Sequence, residues 1–166
     1  MLRNLTRTGH RLATGLKRSG YRLTDRGIIY IFAFYMDREL NIIYIEDNPF
    51  DAKLAERTLL LAGFLFTMRI VDSEKSFIAA LDESPPDLIL SDHSLPGFNS
   101  KKAYTILCNK KPGTPFILLT GSVSEEFDVD STLAGIDDYI LKNNLIQLPS
   151  SIERIFSKKE NNSGNR

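Results

Sequence analysis

From Asn41 onward, short apolar runs alternate with segments in which apolar residues recur three and four positions apart. The runs are Asn41–Ile45, Phe64–Val71, Asp87–Ser91, Pro115–Thr120 and Tyr139–Lys142. Runs this short and this uniformly apolar read as strands buried on both faces, the habit of parallel sheets. The first is followed by Asn48 as an N-cap, Pro49 as the first helical residue and Asp51 as first-turn negative charge. That helix is expected to run to about Ala62, with Leu54, Ala55, Thr58, Leu59 and Ala62 on one face and Gly63 as its stop. A short helix over Ser73–Leu81 turns Phe77, Ile78 and Leu81 inward, and Pro85-Pro86 break the chain before the third run. Ser100 is read as the cap of a helix through Cys108, closed by the turn Lys110–Gly113. Ser124, Glu125, Glu126 and Asp128 open an acidic helix that ends at Gly135. A last helix spans about Pro149 to Phe156, and the polar tail 158–166 reads as disordered.

Strands alternating with helices in this way predict an α/β fold. Right-handed crossovers close it most simply as a doubly wound five-stranded parallel sheet in a three-layer α/β/α sandwich. Its flavodoxin-like strand order would be 2-1-3-4-5. The segment from Asp37 to Lys158 has 122 residues, enough for one complete core.

Composition changes this picture only at the N-terminus. The 166 residues are 42% hydrophobic and 25% charged, ordinary for a globular chain, and formal net charge is zero. A zero balance suggests neither a nucleic-acid nor a membrane partner, and no stretch reaches the roughly 18 apolar residues of a membrane span. Residues 1–35, however, carry seven Arg and Lys against Asp25 alone, so a basic extension precedes a mildly acidic domain. Gly27–Tyr35 is apolar and imitates a signal-peptide core without a small-residue cleavage site; an Arg-rich, acid-poor start also imitates a transit peptide. The reading preferred is that translation starts at Met36, with residues 1–35 disordered or outside the translated chain, 36–157 one domain and 158–166 a tail. Cys108 is the single cysteine, which excludes an intrachain disulfide, and its helical pattern with Ala103, Ile106 and Leu107 makes it a small buried hydrophobe.

The chemistry lies where the runs end. The first delivers Glu46 and Asp47, the third Asp92, the fourth Thr120 and Gly121, the fifth Lys142. In order 2-1-3-4-5 the first and third strands flank the switch point, so their acids would share one crevice. Three carboxylates there demand a counter-charge, and Mg²⁺ suits a site with few carboxylates, a backbone carbonyl and retained waters. With a hydroxyl and a lysine the set reads as a phosphoryl-transfer site, in which an Asp is a competent nucleophile toward phosphorus. Each residue alone is ordinary; their joint placement on separate strand ends carries the reading.

Residues 40–157 resemble a response-regulator receiver domain, the phosphoacceptor of two-component signalling. Ile45–Asn48 resembles the acidic pair, Leu90–Asp92 with Leu95–Gly97 the phosphorylation loop, and Leu119–Gly121 and Asp138–Lys142 the last two motifs. The resemblance implies that Asp92 is the phosphoacceptor, with Asp47, Asp92 and the Ser94 backbone carbonyl ligating Mg²⁺ and Glu46 assisting. It further implies that Thr120 contacts the phosphoryl group, that Lys142 pairs with it, and that Tyr139 turns inward when Thr120 moves. The phosphodonor would be a histidine kinase or histidine phosphotransfer protein, and the phosphorylation-sensitive face the fourth helix, fifth strand and fifth helix. Such a chain is not an enzyme toward other molecules, although it promotes its own aspartyl phosphorylation and dephosphorylation, and it is cytoplasmic. The stretch after the last helix leaves no room for an output domain, so a stand-alone receiver acting through a downstream protein partner is expected.

Two departures stand out: Asn143 replaces the family's Pro after the lysine, and Ser94 and Ser122 occupy positions that tune phosphoryl lifetime. His93 is read as a solvent-facing loop residue, and Leu60 and Leu61 as part of a kinase-docking surface. The alternative is a receiver-like interaction module that takes no phosphate; a flavodoxin-like FMN protein is disfavoured, since Glu46-Asp47 would repel its phosphate.

Overall fold

The computed structural model describes residues 21–23, 29–31, 38–121 and 135–163. The chain divides into two units, Met1–Phe34 and Tyr35–Arg166. In the first, strands Tyr21–Leu23 and Ile29–Ile31 pair antiparallel. The proposed start at Met36 and the acidic helix expected after Ser124 lie outside the described residues.

The second unit holds a parallel sheet of β1 (Leu40–Ile45), β2 (Phe66–Val71), β3 (Leu88–Asp92), β4 (Phe116–Thr120) and β5 (Asp138–Leu141). Their spatial order is 2-1-3-4-5, as expected. Within each apolar run the side chains still alternate. Leu40, Ile42, Tyr44, Leu88, Leu90, Ile117 and Leu119 face one layer, where they meet Ala55 and Leu59 of α1 (Pro49–Leu61) and Leu148, Ile152 and Ile155 of α4 (Leu148–Ser163). Ile43, Ile45, Ile89 and Phe116 face the other, against Phe77, Ala80 and Leu81 of α2 (Glu74–Glu83) and Ala103 and Leu107 of α3 (Ser100–Lys110). Both faces are covered, and so the strands read as unbroken apolar runs.

The helix termini follow local rules. Asn48 accepts from the Phe50 amide at 3.0 Å, with Pro49 in the first turn. At the other end Gly63, at φ 83°, donates to Leu60 while Phe64 donates to Leu59, closing the helix in a Schellman motif. Ser73 and Ser76 cap α2 reciprocally. Several sequence expectations shift by a residue or a face. Asn99, not Ser100, caps α3, accepting from the Lys102 amide. On α1 the inward stripe is Ala52, Ala55 and Leu59, which leaves Leu54 about 100° off the core line and 49% exposed. On α2 Ala80 takes the inward place expected of Ile78. Cys108 is exposed, not buried: Ala103 and Leu107 set the inward line of α3, and the next residue turns about 100° away from it. Finally α4 continues to Ser163, so Lys158–Ser163 is helical rather than a disordered tail.

Candidate functional site

The carboxyl edge of the sheet gathers the charged residues. Ile45 pairs with Ser91, Asp92 with Leu119 and Thr120 with Leu141, which sets Glu46, Asp92, Thr120 and Lys142 side by side along that edge. Glu46, Asp47 and Asp92 each bring one carboxylate oxygen within 4.8 Å of the others. Their burial is graded: Glu46 is enclosed, Asp92 is half-buried and Asp47 faces solvent. An open cavity of about 260 Å³, lined in part by Glu46, Asp47, Asp72 and Ser76, borders the first two of them.

Glu46 is the most tightly held. Tyr44 lies two residues earlier on the same strand face, and its hydroxyl donates to Glu46 Oε2 at 2.8 Å. The Asn48 amide donates to Oε1 at 3.0 Å. Lys142 Nζ donates to Oε2 at 2.7 Å. The lysine also reaches Asp51 Oδ2 at 2.8 Å and Asp92 Oδ2 at 3.2 Å, so one ammonium faces three carboxylates. Burial pulls the Lys142 pKa down, but hydrogen bonds to Asp51 and Glu46 and the charge of Asp92 outweigh it and leave the group above its ordinary value. Burial raises the Asp92 pKa, Lys142 opposes that, and Glu46 adds to it; the net shift is upward. Burial, with Glu46 beside it, drives the Tyr44 phenol upward too, so it is a permanent donor. Asp92 Oδ1 accepts from the His93 amide at 2.7 Å, which fixes one carboxylate oxygen.

The remaining expected residues fall around this centre. Thr120 is enclosed at the end of β4, one register step beyond the partner of Asp92. Ser94 lies two residues past Asp92 in a two-residue strand paired with Phe98–Asn99. Tyr139, on edge strand β5, is turned outward and 43% exposed. Lys142 opens a 3₁₀ helix, Lys142–Gln147, in which Asn143 stands where the resemblance expects Pro. His93 is not solvent-facing: it is half-buried, and its Nδ1 is enclosed without a hydrogen-bond partner among the described residues. Ser122 lies outside the described residues.

Sequence reasoning missed two members. The sequence pattern accounts for Asp51 as a helix-terminus acid, yet the first turn of α1 carries it back over the sheet edge to Lys142. Tyr44 belongs to the core, as its buried strand implies, but its hydroxyl donates to Glu46. The signal for Tyr44 was available: a tyrosine two residues before a strand-end acid shares that acid's face.

Oxygen-only donors around excess negative charge suit a hard divalent cation. Glu46, Asp47 and Asp92 fit Mg²⁺ on that ground.

Comparison with known proteins agrees with this geometry. The family model described as response regulator receiver domain matches residues 42–153, and the chain belongs to that family. It is similar to the DNA-binding response regulator MtrA of Mycobacterium tuberculosis, 33% identical over 108 residues, covering 64% of this chain and 46% of the relative. It is also similar to hybrid signal transduction histidine kinase C of Dictyostelium discoideum, 30% identical over 127 residues, covering 72% of this chain and 10% of that one. The chain thus spans less than half the length of these curated relatives. Among solved structures, the receiver domain of a signal transduction histidine kinase from Syntrophus aciditrophicus superposes with a TM-score of 0.61 at 27% identity, covering 72% of this chain and 91% of that one. The phosphorylated cyanobacterial phytochrome response regulator RcpA superposes at 0.58 with 23% identity, covering 70% and 92%.

Proposed function

We propose that this chain is the phosphoacceptor of a two-component phosphorelay, taking a phosphoryl group on Asp92 from a histidine kinase or a histidine phosphotransfer protein. The observation that carries the reading is the convergence of Glu46, Asp47 and Asp92 within 4.8 Å, beside the single ammonium of Lys142. A carboxylate oxygen of Asp92 forms a bond to phosphorus while the phosphorus–nitrogen bond to the donor imidazole breaks, its electron pair returning to the ring nitrogen. Lys142 pairs with the phosphoryl oxygens, and Thr120 supplies a hydroxyl donor at the neighbouring strand end. Glu46, Asp47, Asp92 and the Ser94 backbone carbonyl would hold Mg²⁺, which would supply positive charge against the transferred group. Hydrolysis of the same aspartyl phosphate returns the carboxylate, so the site turns over only its own modification.

The phosphorylated state then biases the face around β5, with Thr120 drawn toward the phosphoryl group and Tyr139 leaving its outward position. A protein partner reads that face, in a cytoplasmic setting shared with the kinase. On α1, Leu60 and Leu61 are 59% and 78% exposed, and such side chains serve the phosphodonor as an apolar docking anchor. Charging both should slow phosphotransfer from a cognate kinase and leave the reaction with a small phosphodonor unchanged; equal slowing of both would remove the docking role.

The test of the phosphoacceptor role is incubation with Mg²⁺ and acetyl phosphate or beryllofluoride, read by mass spectrometry and NMR. The expected result is a Mg²⁺-dependent adduct and spectral change in the wild type, absent in Asp92→Asn. A wild type that responds no more than Asp92→Asn would leave the phosphorylation-independent interaction module as the better reading.

A further inference from the structure

We propose that Asp51 is a positioning residue that holds Lys142 back, so that its charge limits how tightly the site takes up an anionic phosphoryl group. The inference rests on the phosphoacceptor reading and adds a residue to it. An ammonium has three N–H donors to distribute. Lys142 gives short contacts to Glu46 at 2.7 Å and Asp51 at 2.8 Å, and the longest of the three, 3.2 Å, goes to Asp92. Its working partner is therefore the one it holds least closely.

The two competitors are not alike. Glu46 is enclosed and fixed by Tyr44 and the Asn48 amide as well as by the lysine, and it is one of the three carboxylates that could share a cation. Asp51 stands outside that trio, on the first turn of α1, with its side chain 31% exposed. Glu46 can keep its lysine bond while serving a metal; Asp51, beyond its first-turn place on α1, contributes to the site a claim on Lys142. A phosphoryl group on Asp92 replaces the single carboxylate charge with about two negative charges, spread over more oxygens, and needs a lysine donor. To supply it, Lys142 must loosen the Asp51 contact, and the Asp51 carboxylate also repels the arriving anion directly. Both effects oppose uptake, and both vanish if the carboxylate becomes an amide of the same shape.

The experiment measures beryllofluoride affinity at saturating Mg²⁺ for the wild type, Asp51→Asn and Asp51→Glu, each first shown folded by its thermal melt. Asp51→Asn should bind about threefold to tenfold more tightly than the wild type, the range expected for removing one partly exposed ion pair. Asp51→Glu, which keeps the charge, should stay within about twofold of the wild type. Because Asp51 is partly exposed, the gain should shrink as ionic strength rises. A merely structural role for Asp51 at the helix terminus would lower affinity or leave it alone. Affinity of Asp51→Asn equal to or weaker than wild type therefore overturns the proposal. Failure of the phosphoacceptor reading looks different: the wild type itself would show no response that depends on Asp92.

Discussion

The two edges of the sheet carry the same residue types and treat them in opposite ways. At the amino edge Asp87 accepts from the Asn41 amide at 2.9 Å and from Arg38 at 2.8 Å, while Asn41 donates to Ser84 and Pro85. Asp137 accepts from the Phe116 amide at 2.9 Å. Each acid there has its own donors, and the strands β1 and β4 start on them. At the carboxyl edge Glu46, Asp51 and Asp92 share one cation among the described residues, Lys142. The amino-edge acids each anchor the start of a strand, whereas the carboxyl-edge acids outnumber the cation they share among the described residues.

Removing the shared cation should have the largest effect. Glu46 has no exposed side-chain surface, and Lys142→Met strips its one charged partner among the described residues while leaving the Tyr44 and Asn48 donors. A loss of about 3 kcal/mol is expected in urea unfolding of the metal-free protein, the scale for breaking a buried pair from one side. Saturating Mg²⁺ should recover part of it, because a cation replaces the missing charge. An equal loss with and without Mg²⁺ would mean that the carboxyl edge does not hold excess negative charge in the way described.

The amino edge supplies the control. Asp87→Ala leaves the Asn41 amide and Arg38 without their acceptor, and a loss of about 1–2 kcal/mol is expected. That loss should be indifferent to Mg²⁺, and beryllofluoride affinity should match the wild type. Any Mg²⁺ dependence in Asp87→Ala would couple the two edges and blur the distinction.

The fold was legible in the sequence because a parallel sheet covered on both sides writes itself as separate apolar runs, and Asn48, Pro49 and Gly63 punctuate them by local rules. The strand-end acids, hydroxyl and lysine were legible for the same reason, since strand ends locate the edge. What escaped depended on rotation about helices. Cys108 and Leu54 sit one residue from inward positions, and a single step of a helix decides between core and solvent. Asp51 escaped because a first-turn acid is normally explained by the helix dipole, and only the tertiary position of α1 gives it a second partner. His93 escaped because a loop residue beside the sheet edge carries no periodic signal for burial.

The smallest predicted effect is the most diagnostic, because it has the opposite sign from ordinary mutation. Asp92 carries a carboxyl whose pKa burial and Glu46 raise against the pull of Lys142, so the folded state holds that proton more strongly than the unfolded chain does. Between the ordinary value of 3.8 and the raised one, the folded protein binds more protons than the unfolded one. Free energy of unfolding therefore falls as pH climbs through that window, and the deficit persists above it. Asp92→Asn cannot incur this loss. Its amide oxygen still accepts from the His93 amide, and Lys142 keeps Glu46 and Asp51. The metal-free variant should melt above the metal-free wild type at neutral pH, and the gap should narrow as pH falls through the window. Saturating Mg²⁺ should narrow it too, by giving the wild type a counter-charge that the amide cannot hold. A metal-free Asp92→Asn that melts below the wild type at neutral pH would make Asp92 a structural acid like Asp87, and the two edges of the sheet would no longer differ in kind.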